Sequence, residues 1–515
     1  MKATEFFIRT PKIVRTPFLI FAGVFLSFLV VSGCARNSQA LDSSLGAYTD
    51  HLERNIPRRM ERYGIPGVGM ALIQGGRTVW TGAFGYADLE ENRPMSTDTV
   101  CRAESISKSV TAWGIMRLFE KGRVELRDPL ERYLTGFELP DTRYDTIGVT
   151  VERLLSHTAG MPLGPIGPGV EYPPGGALPS AREFLKGKTD PVQSPGEGFI
   201  YSNIGYNLLE LLVEEITGTD FAVYMREEVL LPLGMEDADY AWRDDFTGRV
   251  PLGHENDGTP VDPYVYPVKG SGGLFATVDD IARFAAAGMT GEYFVSTAAG
   301  VLSEESIRAI HTPRVEIPGI FGVVADSYGF GHFIETLPDG RRALWHGGQG
   351  HGWMTHFHIV PEAGTGIVIL TNSQRSWPFM AEVLDEWAGW NGFSSVRMGN
   401  ITTANRIVTV LFGVILLAAL YLIVRLILGL IGGGRRFAPL AKAGRIGRLT
   451  AAAAGLTVIA VVVWRATLPY NFETSIFPTI IGWGTTVLVF FSIVLIVSAL
   501  FPRDSNRLTR KRVRQ

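Results

Sequence analysis

The stretch Ser105-Ile106-Ser107-Lys108 places a hydroxyl and an amine one helical turn apart. Residues at i and i+3 share a helix face, so Ser105 Oγ and Lys108 Nζ are within reach of a common hydrogen bond. The apolar run that follows (Val110, Trp113, Ile115, Met116, Leu118, Phe119) reads as a buried helix over residues 109–120, ended by Gly122. A lysine on such a helix is desolvated, which lowers its pKa and equips it as a base. Lysine supplies only 9 of the 48 basic residues, so its use on an apolar face needs a reason. The plainer alternative is a capping serine and a lysine that snorkels to solvent. Composition alone yields roughly one such tetrad in a chain this long, so its companions decide.

Outward from the tetrad, residues 68–73 and 78–84 read as a β-hairpin. Residues 343–346, 354–360 and 366–370 read as three further strands, with a turn at 361–364. Helical patterns occupy 151–156, 207–217, 221–231, 279–287 and 379–390. Strands near both ends of residues 41–393 with helices between them predict an α/β (α+β) domain: an antiparallel sheet flanked by helices, with a helical region inserted. Residues 394–405 read as a linker.

The ends of the chain carry a different composition. Lys2, Arg9, Lys12 and Arg15 precede an apolar run at 18–31, the layout of a secretory signal or a signal anchor within residues 1–34. It ends in Val31-Ser32-Gly33-Cys34, which resembles a lipobox and makes Cys34 a candidate for lipidation. The alternative is an uncleaved anchor helix with an incidental cysteine. Within 406–501, residues 407–431, 449–468 and 479–501 are long and apolar enough to span a bilayer. Arg435, Arg436, Lys442, Arg445 and Arg448 crowd the first connection, and the tail (502–515) is also basic, whereas Glu473 is the only charge in the second connection. The positive-inside rule puts the first loop and the tail in the cytoplasm and the large domain outside, at the cell membrane. A formal net charge of −3, with basic clusters confined to the membrane flanks, argues against nucleic acid as a partner.

Downstream of the tetrad come Tyr201-Ser202-Asn203 and Trp345-His346-Gly347-Gly348-Gln349-Gly350. A tyrosine beside a nucleophile can relay protons, an asparagine can hold an amine or a substrate amide, and glycines at a strand end let a main-chain N–H approach a developing oxyanion. In this order, with Leu154-Leu155-Ser156-His157-Thr158-Ala159-Gly160, Pro232-Leu233-Gly234-Met235 and Gly272-Gly273-Leu274-Phe275-Ala276-Thr277-Val278-Asp279-Asp280, these motifs resemble serine hydrolases of the class C β-lactamase and penicillin-binding-protein family, in the esterase or D-peptidase branch. The resemblance runs through most of residues 45–390. It implies a β-lactamase/transpeptidase-like fold and acyl transfer through a covalent intermediate. By it, Ser105 is the nucleophile, Lys108 and Tyr201 share the base and acid roles, and Asn203 positions Lys108 or substrate. His346, Gly347, Gly348 and Gln349 line the acyl site, with the N–H groups of Ser105 and Gln349 as oxyanion donors. No cofactor is implied. The substrate is an ester, amide or D-amino-acid peptide, cell-wall material among them. A β-lactamase, or a receptor that is acylated without turnover, are the rival readings.

The chain departs from the family pattern at three places. His346 and Gly347 stand where a lysine and a hydroxyl residue are usual, Cys101 replaces an aromatic, and Glu104 replaces a small residue before the nucleophile. Glu104 in the first helical turn is expected to complement the helix dipole. An imidazole of ordinary pKa, about 6.5, is mostly neutral at pH 7.5, so neutral substrates are expected over carboxylates, with carboxylate recognition improving towards pH 6. Arg341 or Arg342 is the alternative source of a cation. His157 reads as structural rather than catalytic. His332, His346, His351, His356 and His358 form no tight cluster with a carboxylate, so no metal site is expected.

Overall fold

Gly75 and Gly76 both adopt positive φ (58° and 70°), closing the first hairpin between β1 (Gly67–Gln74) and β2 (Arg77–Asp88). The computed structural model describes residues 44–319, 321–442, 444–467 and 475–503. The expected signal or anchor segment, Cys34 and all but the start of the basic tail therefore lie outside the described residues. Seven more strands complete one sheet: β3 (Arg93–Pro94), β4 (Val315–Glu316), β5 (Ser327–Tyr328), β6 (Phe333–Thr336), β7 (Arg342–Gln349), β8 (Met354–Val360) and β9 (Thr365–Thr371). Their order is β3-β2-β1-β9-β8-β7-β6-β5-β4, with every pair antiparallel. The N-terminal hairpin thus joins the C-terminal strands through β1 and β9, in register from Val68↔Thr371 to Ile73↔Gly366. β1 and β8 are buried along almost their whole length, as strands covered on both faces must be.

Two helices cover one face. α1 (Leu45–Tyr63), absent from the sequence reading, packs on the terminal helix Trp377–Trp390, with Tyr48 stacked on Trp390 at 4.2 Å between ring centroids. The buried residues of α1, Tyr48, Leu52, Ile56 and Met60, recur every fourth position, and Pro57 lies inside the continuous helix. The opposite face carries α2 (Ile106–Glu120) and the helix Val278–Ala287, which a Thr277/Asp280 capping box starts. The inserted region between β3 and β4 includes α3 (Asn203–Thr217), and its core is continuous with that beneath the sheet. The predicted antiparallel sheet with an inserted helical region is what the chain builds.

Among the described residues this unit runs from Ser44 to Thr402 and takes in Ser475 and Ile476. The residues expected as linker are partly helical, because the first apolar helix begins at Gly399 and meets no proline before Ile431. A second unit holds the apolar segments. Helices Gly399–Ile431, Arg445–Ala466 and Pro478–Leu500, of 33, 22 and 23 residues, are long and apolar enough to cross a membrane. The last two pack closely at Gly455, where any added Cβ would lie 2.8 Å from the Ser492 carbonyl oxygen.

Candidate active site

Ser105 sits at the N-cap of α2, yet its hydroxyl makes no capping bond. Lys108, one turn on, is fully buried. A capping serine with a snorkelling lysine is therefore not what the chain builds. Lys108 Nζ lies 3.1 Å from Ser105 Oγ, 2.8 Å from Asn203 Oδ1 and 2.7 Å from the Ser271 carbonyl oxygen. Burial pushes its pKa down to about 7, against an opposing pull from the charge of Glu104. An amine with that pKa is substantially neutral at pH 7.5. A neutral amine has two N–H groups and one lone pair; Asn203 Oδ1 and the Ser271 carbonyl can only accept. With both hydrogens so engaged, the lone pair is left for the Ser105 O–H.

The Tyr201-Ser202-Asn203 motif is fixed by a helix start. Ser202 is the N-cap of α3; its Oγ accepts from the Gly205 N–H (2.8 Å) and donates to the Pro162 carbonyl (2.6 Å). Asn203 becomes the first helical residue, aimed at Lys108, and the Tyr201 ring centroid lies 4.9 Å from Nζ. His157, at φ 57°, packs under the same loop with its ring 4.4 Å from that of Tyr201. Its Nδ1 accepts the Ser202 N–H at 3.2 Å, and burial holds the ring neutral. It supports the Tyr201 loop from within the core, in keeping with a structural role.

β7 brings the last motif alongside. Only Arg342–Trp345 pair with β6, so beyond Trp345 that side of β7 carries no strand among the described residues. Gly348 abuts the residue chain that leads into Ser105: a Cβ there would overlap the Ala103 carbonyl and Thr355 Oγ1 and lie 2.7 Å from the Glu104 Cβ. The strand's alternation separates its residues. Gly347 faces Trp377, on the far side of the sheet from α2, so a side chain there would point away from Ser105. The Gln349 side chain also points away, accepting from Trp377 Nε1 (2.8 Å) and donating to Ser475 Oγ (2.9 Å). Of the expected lining residues Gly347 and Gln349, then, only main-chain atoms remain for substrate.

His346 faces inward but is 1% exposed. Tyr328, from β5, donates its hydroxyl to Nε2 at 3.1 Å, and Nδ1–H donates to the Gly347 carbonyl at 2.9 Å. Burial, with the charge of Lys108 behind it, pushes the imidazole well below its ordinary pKa. The expected gain of positive charge near pH 6 is overturned, because a ring without water has nothing to solvate the cation. The alternative cations are engaged elsewhere: Arg341 pairs with Asp339, and Arg342 reaches the His311 carbonyl.

Glu104 corrects a second expectation. Its side chain leaves the helix start and ion-pairs with buried Arg102 at 2.7 Å, receiving hydroxyl hydrogen bonds from Tyr264 and Tyr266 at 3.2 Å each. The sequence reading also missed Tyr328 and Ser271. Only Ser271 carried a signal, standing directly before the Gly272-Gly273 motif. Among the described residues, no group of three or more His, Cys, Asp or Glu side chains is placed to hold a metal.

Comparison with known proteins fits this geometry. The family model described as Beta-lactamase matches residues 52–387. The chain is 25% identical over 353 residues to penicillin-binding protein 4* of Bacillus subtilis (strain 168), covering 65% of this chain and 74% of that one. It is 26% identical to the D-alanyl-D-alanine-carboxypeptidase/endopeptidase AmpH of Escherichia coli (strain K12), over 60% and 81%. Among solved structures, the octameric penicillin-binding protein homologue from Pyrococcus abyssi superposes with a TM-score of 0.54 at 27% identity, covering 63% of this chain and 73% of that one.

Proposed function

This chain belongs to the beta-lactamase family, and from that membership we propose that it is a membrane-anchored, extracytoplasmic serine hydrolase acting through an acyl-enzyme on Ser105. The observation that carries the reading is the Lys108 amine, buried, with both hydrogens spoken for and its lone pair left for the Ser105 hydroxyl. Lys108 takes the hydroxyl proton as Oγ bonds to the substrate carbonyl carbon. The resulting oxyanion is held by the main-chain N–H groups of Ser105 and Gln349. Tyr201, whose ring lies against Lys108, passes a proton to the departing oxygen or nitrogen as the carbonyl reforms. Water then attacks the acyl carbon by the same route in reverse, giving the acid and free Ser105.

The site favours substrates without a carboxylate. His346 is buried and neutral, and the half-buried rings of Phe199, Tyr201 and Phe321 form an apolar wall, with Tyr201 stacked on Phe321 at 5.8 Å. An ester, an amide or an internal bond of a cell-wall D-amino-acid peptide suits this better than a free C-terminal carboxylate or a penicillin. The three apolar helices would anchor the enzyme, with the arginine-rich connection in the cytoplasm.

The test is turnover by the full-length protein of a panel of p-nitrophenyl esters, D-alanyl peptides and a chromogenic cephalosporin. Multiple turnovers of an ester or D-peptide, abolished in Ser105→Ala, support the hydrolase. An adduct on Ser105 that persists for hours without turnover would overturn it in favour of an acylated receptor.

A further inference from the structure

Glu104 occupies the position directly before the nucleophile in a left-handed conformation, φ 49°, that non-glycine residues adopt at a cost. It is 2% exposed, beside buried Arg102 and Tyr264 and half-buried Tyr266. Oε1 receives the Arg102 Nε–H at 2.7 Å and the Tyr264 hydroxyl at 3.2 Å; Oε2 receives the Tyr266 hydroxyl at 3.2 Å. The Arg102 guanidinium lies over the rings of Tyr264 and Tyr266, 3.9 and 4.6 Å from their centroids, and donates to the Tyr264 carbonyl. Both tyrosines come from one loop, so the carboxylate is held from two sides of the fold.

The same carboxylate shapes the acyl-site strand. A Cβ on Gly350 would overlap the Glu104 carboxylate, and one on Gly348 would crowd the Glu104 Cβ. The glycines of β7's end thus fit around this particular side chain. The Tyr264 hydroxyl continues the contact by accepting the His351 N–H at 3.0 Å. The His351 ring sits between Glu171 and Glu255, at 2.9 Å from each, as an imidazolium with its pKa raised to about 9 by those carboxylates.

We propose that Glu104 is a positioning residue for acyl transfer: its side chain packs against Gly348 and Gly350, seating the end of β7 and the residue beyond it against the segment that leads into Ser105, and its charge lies behind Lys108. Glu104 supplies the charge that favours the Lys108 ammonium. The other groups against Lys108 bring little net charge. Asn203 and the Ser271 carbonyl are neutral, Tyr201 and Tyr206 present ring faces at 4.9 and 5.8 Å, and His157 and His346 are held neutral by burial. Glu210 of α3 turns instead to the N–H groups of Lys269 and Gly270.

The inference rests on the proposed roles of Ser105 and Lys108, and its test separates the two. The pH dependence of kcat/KM is measured on the full-length protein with a p-nitrophenyl ester. Activity needs neutral Lys108, so it rises with pH through that pKa. Glu104→Gln keeps the shape but removes the charge that favours the ammonium, so the rising limb should move to lower pH by about one unit. Tyr266→Phe removes a hydrogen bond that tempers the carboxylate, so the limb should move slightly to higher pH. A Glu104→Gln enzyme that is slower with its limb unmoved overturns the proposal. If that variant does not fold, the direction for Tyr266→Phe decides, and an unmoved limb again overturns it. Activity that survives Ser105→Ala would instead remove the underlying reading.

Discussion

The Tyr328 hydroxyl donates to Nε2 of His346 across 3.1 Å, while Nδ1–H of the same ring is given to the Gly347 carbonyl. Both nitrogens are therefore occupied within the protein. A histidine held in this way neither carries charge nor offers a free donor, and it fills the place where a lysine would hold a carboxylate.

This has a direct kinetic consequence. Benzylpenicillin and peptides with a free C-terminal carboxylate should be turned over far more slowly than neutral esters, and lowering the pH from 7.5 to 6 should not close the gap. Initial rates for matched neutral and carboxylate substrates at both pH values check this. A selective gain for the carboxylate at pH 6 that His346→Ala abolishes would mean that the ring does become cationic in contact with substrate.

The Lys108 geometry sets the second expectation. A fluorophosphonate probe should label the wild type and spare Ser105→Ala, and Lys108→Ala should slow labelling by about 10²–10⁴-fold, the usual worth of a positioned base. The labelling rate should rise through a pKa near that of Lys108, about 7. Peptide mapping of the adduct reads the site, and modification of another residue would exclude Ser105.

Close approach of β7 to the nucleophile loop makes Gly348 sensitive. The methyl of Gly348→Ala must displace the Ala103 carbonyl or Thr355, an overpacking of about 1–3 kcal/mol. Part of that strain should appear as a kcat reduced at least about tenfold. Gly347→Ala meets Trp377 on the other face and should reduce the melting temperature with a smaller effect on kcat. Equal kcat losses would contradict the assignment of the two faces.

Stability should fall on mild acidification. His157, His311, His332, His346, His356 and His358 are all held neutral by burial, with pKa values below the ordinary 6.5. Below about pH 6.5 the unfolded chain binds protons there that the native state refuses, so unfolding becomes more favourable. Glu210 and Glu335, raised to about 7 and 8, and Glu214, Asp239, Asp279 and Asp280, raised from ordinary values below this window, act in the opposite sense, and the imidazoles prevail because their unfolded pKa falls inside it. His351, raised to about 9, also opposes this trend from pH 7.5 down to about 6.5, where the native state holds a proton that the unfolded chain lacks, and the effect fades below that as the unfolded imidazole protonates. Thermal melting should show a lower Tm at pH 5.5 than at pH 7.5; an equal or higher Tm at pH 5.5 would contradict the burial of these rings.

Topology follows from the charge asymmetry of the two connections. In intact cells, a cysteine at Leu440 should resist a membrane-impermeant thiol reagent and one at Thr467 should react. The native Cys101 is buried and should stay silent. The reverse labelling would place the hydrolase domain in the cytoplasm.

Local chemistry made much of this protein legible in its sequence. The Ser105/Lys108 spacing, the alternation of residues 354–360, the glycine turn at Gly75-Gly76 and the long apolar segments each depend on neighbours a few positions away. Helical and strand periodicity report such neighbours directly. The helix Leu45–Tyr63 was missed although its buried residues Tyr48, Leu52, Ile56 and Met60 recur every fourth position. What tertiary structure alone decided were properties that depend on partners outside the local run of sequence, brought together by the fold. Asn203 and Ser271 occupy the hydrogens of Lys108, and Tyr264 and Tyr266 hold Glu104 away from the helix start. Strand pleat turns Gly347 and the Gln349 side chain away from Ser105. The protonation of His346 was decided in the same way: an imidazole's charge follows from the water it loses and the groups it meets, and only the folded chain brings those together.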